Sequence, residues 1–188
     1  MSKSKPVVQL VPLEPSDRNQ FVLDNQEAFK YGATEEFGLR DDHFEEDGEI
    51  ISRDTIEHAI DEPNAETYRI VCDGQIVGGV VIRIDHDTLR GDLDLLFVSP
   101  HVHSRGIGYA AWCEVERMHP EVKVWETMTP YFEKRNIHFY VNRCKFHIVE
   151  FYCERHQDPN YPSDSPDEMF RFEKVMVQAH QISQKQFL

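Results

Sequence analysis

Val98-Ser99-Pro100-His101-Val102-His103-Ser104-Arg105-Gly106-Ile107-Gly108-Tyr109-Ala110-Ala111 is the stretch whose reading decides the fold. An alternating apolar run ends at Val98, and residues 99–105 make a polar loop. From about Gly106 to Met118, Ile107, Ala110, Ala111, Val115 and Met118 recur at helical spacing. Glycines where a strand gives way to a helix let backbone N–H groups approach an anion closely. The helix N-terminus adds about half a positive charge. His101, His103 and Arg105 supply further donors, so the junction reads as a phosphate cradle.

Downstream, residues 122–127 read as a strand, so the helix is a crossover between two strands, which makes them parallel neighbours. Thr129-Pro130 has the form of a helix N-cap followed by proline at the first helical position, predicting a helix to about Arg143. Residues 146–153 and 170–177 read as a last strand pair. Upstream, residues 7–11 form a short strand. Helices follow from Pro15-Ser16-Asp17 to about Phe29 and from an N-cap at Ser52 to about Ile60. Residues 66–72, 75–85 and 92–98 form an antiparallel meander whose first turn, Asp73-Gly74, suits a type I′ geometry. The whole is a mixed α/β sheet with one βαβ unit at its heart. One domain over residues 1–178 with a tail of 179–188 is expected for 188 residues.

The composition excludes several classes. With 34 acids against 20 lysines and arginines, the net charge is −14, which argues against a nucleic-acid partner and for cationic ligands. No apolar run approaches the ~20 residues of a membrane helix. The start lacks the pattern of a secretory signal, and Cys72, Cys113, Cys144 and Cys153 show no CxxC spacing. A reducing cytoplasm is therefore expected. His101-x-His103 lacks a third ligand at a sensible spacing, so no metal is assigned.

Two families of reading compete for the glycine junction. Gly106-x-Gly108-x-x-Ala111 fits a dinucleotide-binding pattern, and Glu126 lies where a ribose-binding acid belongs. Against it, the polar loop of residues 99–105 separates strand from glycine, and a single crossover is too little for a doubly wound sheet. The quoted stretch also resembles motif A of the GNAT superfamily of acetyl-CoA-dependent N-acetyltransferases. There a strand ending in Val-x-Pro precedes Arg/Gln-x-x-Gly-x-Gly/Ala at a helix start. Asn136-Ile137-His138-Phe139-Tyr140-Val141-Asn142-Arg143-Cys144-Lys145-Phe146 is similar to that family's second landmark. His103 stands for the usual Arg or Gln, and Lys145 for the glycine before Phe146.

The resemblance implies a mostly antiparallel sheet of six to seven strands flanked by about four helices. It implies acetyl-CoA as donor, held by His103, Ser104, Arg105, Gly106, Ile107, Gly108, Tyr109 and Asn136, with Phe97 and Val98 along the pantetheine. It also implies Tyr140 as the acid that protonates the leaving thiolate. An alkyl amine, with pKa roughly 10.4, needs a base or relay before it can attack. Asp92 and Asp94 share one strand face and are base candidates, with Glu126 a third. The expected reaction is direct transfer to a primary amine, small or peptidic, in a ternary complex, and a homodimer is plausible. The non-enzyme alternative is an acyl-CoA-binding sensor or partner module that keeps the fold without turnover.

The acid is unevenly spread. Residues 35–62 hold twelve acids against Arg40 and Arg53, and so carry −10 of the net charge. In the GNAT fold this stretch flanks the acceptor site, and Glu45, Glu46 and Asp47 within it are expected to draw in a cationic amine.

Overall fold

The computed structural model describes residues 6–34, 48–102, 106–160 and 168–176. The chain runs β1 (Val8–Pro12), α1 (Arg18–Thr34), α2 (Arg53–Asp61), β2 (Ala65–Cys72), β3 (Gln75–Asp85), β4 (Arg90–Val98) and α3 (Ile107–Met118). It continues through β5 (Val124–Pro130), α4 (Lys134–His138), β6 (His147–Tyr152) and β7 (Met169–Val175). The seven strands follow the order β1-β2-β3-β4-β5-β7-β6, mostly antiparallel, with β4 and β5 parallel. That is the mixed sheet with one crossover that the sequence predicts. No helix among the described residues is long and apolar enough to cross a membrane. Glu45, Glu46 and Asp47 lie outside the described residues, as does the tail of 179–188.

The chain separates into two compact units, one holding residues 1–83 and 93–118, the other 84–92 and 119–188. In the first, the local signals resolve as expected. Ser52 caps α2 by accepting from the Thr55 N–H at 3.1 Å. Asp73 and Gly74 both take positive φ, at 51° and 77°, as a type I′ turn requires. Strict alternation along β4 buries Leu93, Leu95 and Phe97 on one face. On that face α1 and α2 pack Phe21, Val22, Ala28 and Ile56 against Val81, Leu95 and Phe97. Another cluster gathers Ile107 and Ala111 of α3 with Val8, Ile70 and Val77. Arg69, almost wholly buried, fixes the start of α1 to β2 through Asp17 at 2.6 and 2.9 Å and Asp24 at 2.7 Å.

Phe21 meets Phe97 edge-on with centroids 5.1 Å apart, directly over Gly79. A Cβ at Gly79 would overlap both rings, and one at Gly78 would strike the Phe97 carbonyl. Close packing of this kind does not stretch to admit a methyl group. Gly79→Ala is therefore expected to destabilise the protein by about 1–3 kcal/mol in urea unfolding; an unchanged midpoint would show that α1 does not press on β3 here.

In the second unit, β5 pairs in parallel with the start of β4, from Arg90–Val124 to Asp92–Glu126, and antiparallel with β7 along its whole length. Its alternation puts Trp125, Thr127 and Thr129 on a buried face and Val124, Glu126 and Met128 on the other. The Trp125 indole lies over Gly91, its rung partner, where a Cβ would collide with the ring.

Here one expectation fails. Thr129-Pro130 does not open a helix: Thr129 pairs with Phe170 and Pro130 with Met169, so both end β5. Proline is tolerated at a strand end, and the available ladder of β7 outweighs a local capping signal. The strand also begins at Val124, two residues after the predicted start. The helix starts at Lys134 with no side-chain cap on Glu133, and from Phe139 to Cys144 it widens into a π-helix.

Candidate functional site

Two groups of residues carry chemistry, one in each unit. In the first unit, β4 ends at Val98, and the Ser99 N–H donates to the Val77 carbonyl at 2.8 Å. A single 3₁₀ turn, Pro100–Val102, follows. His103, Ser104 and Arg105 lie outside the described residues. Gly106 then takes φ 77°, a left-handed conformation that L side chains rarely adopt, with no heavy atom within 4 Å of where a Cβ would stand. The helix ladder begins with the Ala110 N–H donating to the Gly106 carbonyl at 3.0 Å. The preceding amides of Ile107 and Gly108 are thus outside the ladder of α3, as at any helix start. The uncrowded Cβ position of Gly106 and the head of a 12-residue helix make a terminus of the kind that receives an anion.

Phe97 is buried against Phe21, and Val98 is half-buried on the opposite face beside the α3 cluster. Tyr109 is half-buried in the first turn of α3. Beside the end of β4 lies a cavity of about 200 Å³ lined by Asp24, Glu27, Gly78, Phe97, Ser99 and His101, among others. Its Asp24 is held by Arg69 and Gln20, and His101 stands 4.0 Å from Glu27. Asp94, one base candidate, is gripped by Arg83 through two bonds of 2.8 and 3.1 Å.

In the second unit, Tyr140 opens onto the buried face of β5. Its ring packs among Phe139, Phe146 and Phe172, with centroids 5.5, 5.8 and 5.6 Å away. Burial pushes the phenol pKa up to about 12; the hydroxyl bond it shares with Thr127 pulls the other way, and Cys144 adds to the rise. Asn136, one helical turn earlier, donates its amide to the Thr129 hydroxyl at 3.3 Å. Glu126 occupies the opposite face. Both of its oxygens accept from arginine, one from Arg90 and the other from Arg171 at 2.9 Å, and Glu173 bonds the same two guanidiniums. Asp92 is half-buried on the Glu126 face, as its rung partner.

The turn after Tyr140 explains the departure at Lys145. Its φ of 69° is left-handed, and both the Lys145 and the Phe146 N–H close on the Tyr140 carbonyl. The position needs what a glycine supplies without strain. Lys145 adopts the conformation nonetheless, its ammonium donating to the Asn142 carbonyl at 2.8 Å. The left-handed cost to an L residue is roughly 1–2 kcal/mol, partly offset by the chain entropy glycine brings. Lys145→Gly is expected to raise stability by roughly 0.5–1 kcal/mol in urea unfolding; a loss would mean the lysine's bond to Asn142 outweighs the strain.

Sequence reasoning passes over Thr127 and takes Thr129 only as a helix cap, although their two-residue spacing on a strand signals a shared face. The arginine partners of Asp94 and Glu126 come from neighbouring strands of the sheet, 11 residues away for Asp94 and 36 and 45 for Glu126.

A family model described as the acetyltransferase (GNAT) family matches residues 31–146. The chain is 45% identical over 184 residues to an uncharacterised protein of Bacillus subtilis (strain 168), YrkN, covering 93% of this chain and 97% of that one. Among solved structures it is similar to an acetyltransferase from Thermus thermophilus (TM-score 0.64, 13% identity, 92% of this chain and 99% of that one). It is similar also to a Bacillus subtilis acetyltransferase in complex with CoA (TM-score 0.61, 13% identity, 92% and 100%).

Proposed function

Because the chain belongs to the acetyltransferase (GNAT) family, we propose that it moves an acetyl group from acetyl-CoA directly to a primary amine. Two observations support this reading: a left-handed glycine at the head of α3, and a half-buried tyrosine on the helix packed against β5 whose phenol is held un-ionised. Acetyl-CoA, when bound, supplies the acyl carbon as a thioester, so that a C–N bond forms as the C–S bond breaks.

The chain's own residues do the rest. The amides of Ile107 and Gly108, with His103, Ser104 and Arg105, hold the pyrophosphate; backbone groups near Phe97 and Val98 align the pantetheine. Asn136 contributes a further contact to the donor. Positioning and electrostatics outrank covalent catalysis here, and none of the four free cysteines is needed as a nucleophile.

Tyr140 donates its hydroxyl hydrogen to the sulfur as negative charge develops there. A phenol raised to about 12 remains protonated wherever the enzyme works. Among the carboxylates, Glu126 lies between the Arg90 and Arg171 guanidiniums, and Asp94 against that of Arg83. Asp92, on β4, is the first candidate for the base, with Asp94 and Glu126 beside it. For the acceptor, the net charge of −14 and the cavity bearing Asp24 and Glu27 support a cationic amine.

Two outcomes test the reading. Gly106→Val forces a branched residue into left-handed φ and turns the amides of the first turn. It should weaken acetyl-CoA binding by calorimetry at least tenfold while the circular-dichroism spectrum stays native; unchanged affinity would remove the phosphate assignment. The pH profile gives the second. An acceptor amine must lose its proton, so kcat rises with pH toward the amine's pKa, whereas the acid stays loaded until pH approaches about 12. Activity should therefore rise and level off with no alkaline fall below about pH 11. A fall near pH 9 that vanishes in Tyr140→Phe would contradict the raised phenol.

A further inference from the structure

Along β5, Thr127 and Thr129 are buried side by side on one face. Along the helix that covers this face, Asn136 and Tyr140 stand four residues apart, one turn, and so also side by side. The two pairs meet in register: Thr129 receives the Asn136 amide at 3.3 Å, and Thr127 shares a hydroxyl bond with Tyr140. On a strand the two threonines are about 7 Å apart, and one helical turn rises about 5.4 Å, so a strand of alternating threonines can address two successive turns. Rung partners Phe172 and Phe170 lie beside them on β7, and Phe172 packs on the Tyr140 ring.

We infer that Thr127 and Thr129 are positioning residues, a hydroxyl ladder that aims Tyr140 and Asn136 separately, each toward its own task. The inference rests on the roles given to those two residues above. Packing alone does not account for it: valine would fill the same volume and favour a strand equally, yet both positions carry a hydroxyl. The aiming is needed because the helix itself is loosened where it matters. The π-helix of Phe139–Cys144 and the left-handed turn at Lys145 take the Tyr140 backbone off ordinary helical geometry. The Thr127 hydroxyl then restores the direction of the phenol. Beside Thr129, the Asn136 amide is fixed in the same way.

The two rungs predict different kinetic losses. Thr127→Val should lower kcat about tenfold or more and leave the acetyl-CoA KM within twofold. Thr129→Val should raise the acetyl-CoA KM about fivefold with kcat little changed. Both are measured on the full chain with acetyl-CoA and one amine from a panel of spermidine, lysine and a basic peptide. Thr127→Ser, which loses the methyl group and keeps the hydroxyl, should retain most of the rate. The Tyr140 Cζ resonance, read at neutral pH with isotope-labelled tyrosine and assigned by its loss in Tyr140→Phe, should move in Thr127→Val and hold in Thr127→Ser. That signal responds to the hydrogen bond even if turnover is limited elsewhere.

Equal losses in Thr127→Val and Thr127→Ser, or an unmoved resonance in both, would overturn the ladder. If Tyr140→Phe still slows turnover in that case, the acid assignment survives without it. If Tyr140→Phe leaves turnover intact, the acid assignment falls and takes the ladder with it.

Discussion

The alternation of β5 is the constraint from which the rest of the second unit follows. A strand must send successive side chains to opposite faces, and Val124–Pro130 uses both for unlike purposes. One face is dry and carries Trp125, Thr127 and Thr129; it seats the helix that bears Asn136 and Tyr140. The other carries Glu126 into a four-membered ion cluster with Arg90, Arg171 and Glu173. Slipping β5 by one residue against β7 would exchange the faces, burying Glu126 among phenylalanines and exposing the threonines. The cluster therefore protects register as much as it adds stability. Its guanidiniums each bridge Glu126 and Glu173, Arg171 also reaching Glu150, and a mispaired strand would leave charges without partners.

The same cluster changes how the carboxylates are understood. From the sequence, Asp92 and Asp94 are candidates for a base, Asp92 the closer match to the family's strand position, with Glu126 a third. Tertiary contacts set two of them in ion pairs, Asp94 with Arg83 and Glu126 with Arg90 and Arg171. The excess acid of the chain is thus in part structural, and the carboxylates facing the cavity near β4 are a minority of it.

Where local chemistry decides a conformation, the sequence was readable. Asp73-Gly74 both need positive φ and both have it; Ser52 caps the helix it precedes; the strands on either side of the crossover helix in the chain pair in parallel. Thr129-Pro130 was misread for a physical reason. The same two residues suit a helix start and a strand end, and only the distant β7, which pairs with both, chooses between them. Lys145 marks the opposite situation. Its side chain hides a left-handed turn that a glycine would have announced, and the π-helix before it has no sequence signature of its own. The threonine ladder was visible as a spacing, but its meaning depended on which helix came to lie across it.

The central claim is transfer of an acetyl group straight from acetyl-CoA to an amine, with the protein never acylated. The most direct measurement is mass analysis of both protein and amines after the full chain is incubated with acetyl-CoA and the amine panel. The account predicts one acetyl group on an amine for each CoA thiol released, and a protein of unchanged mass. Acetyl-CoA that binds without acetylating any amine, or an acetyl group found on the protein and then passed on, would contradict it.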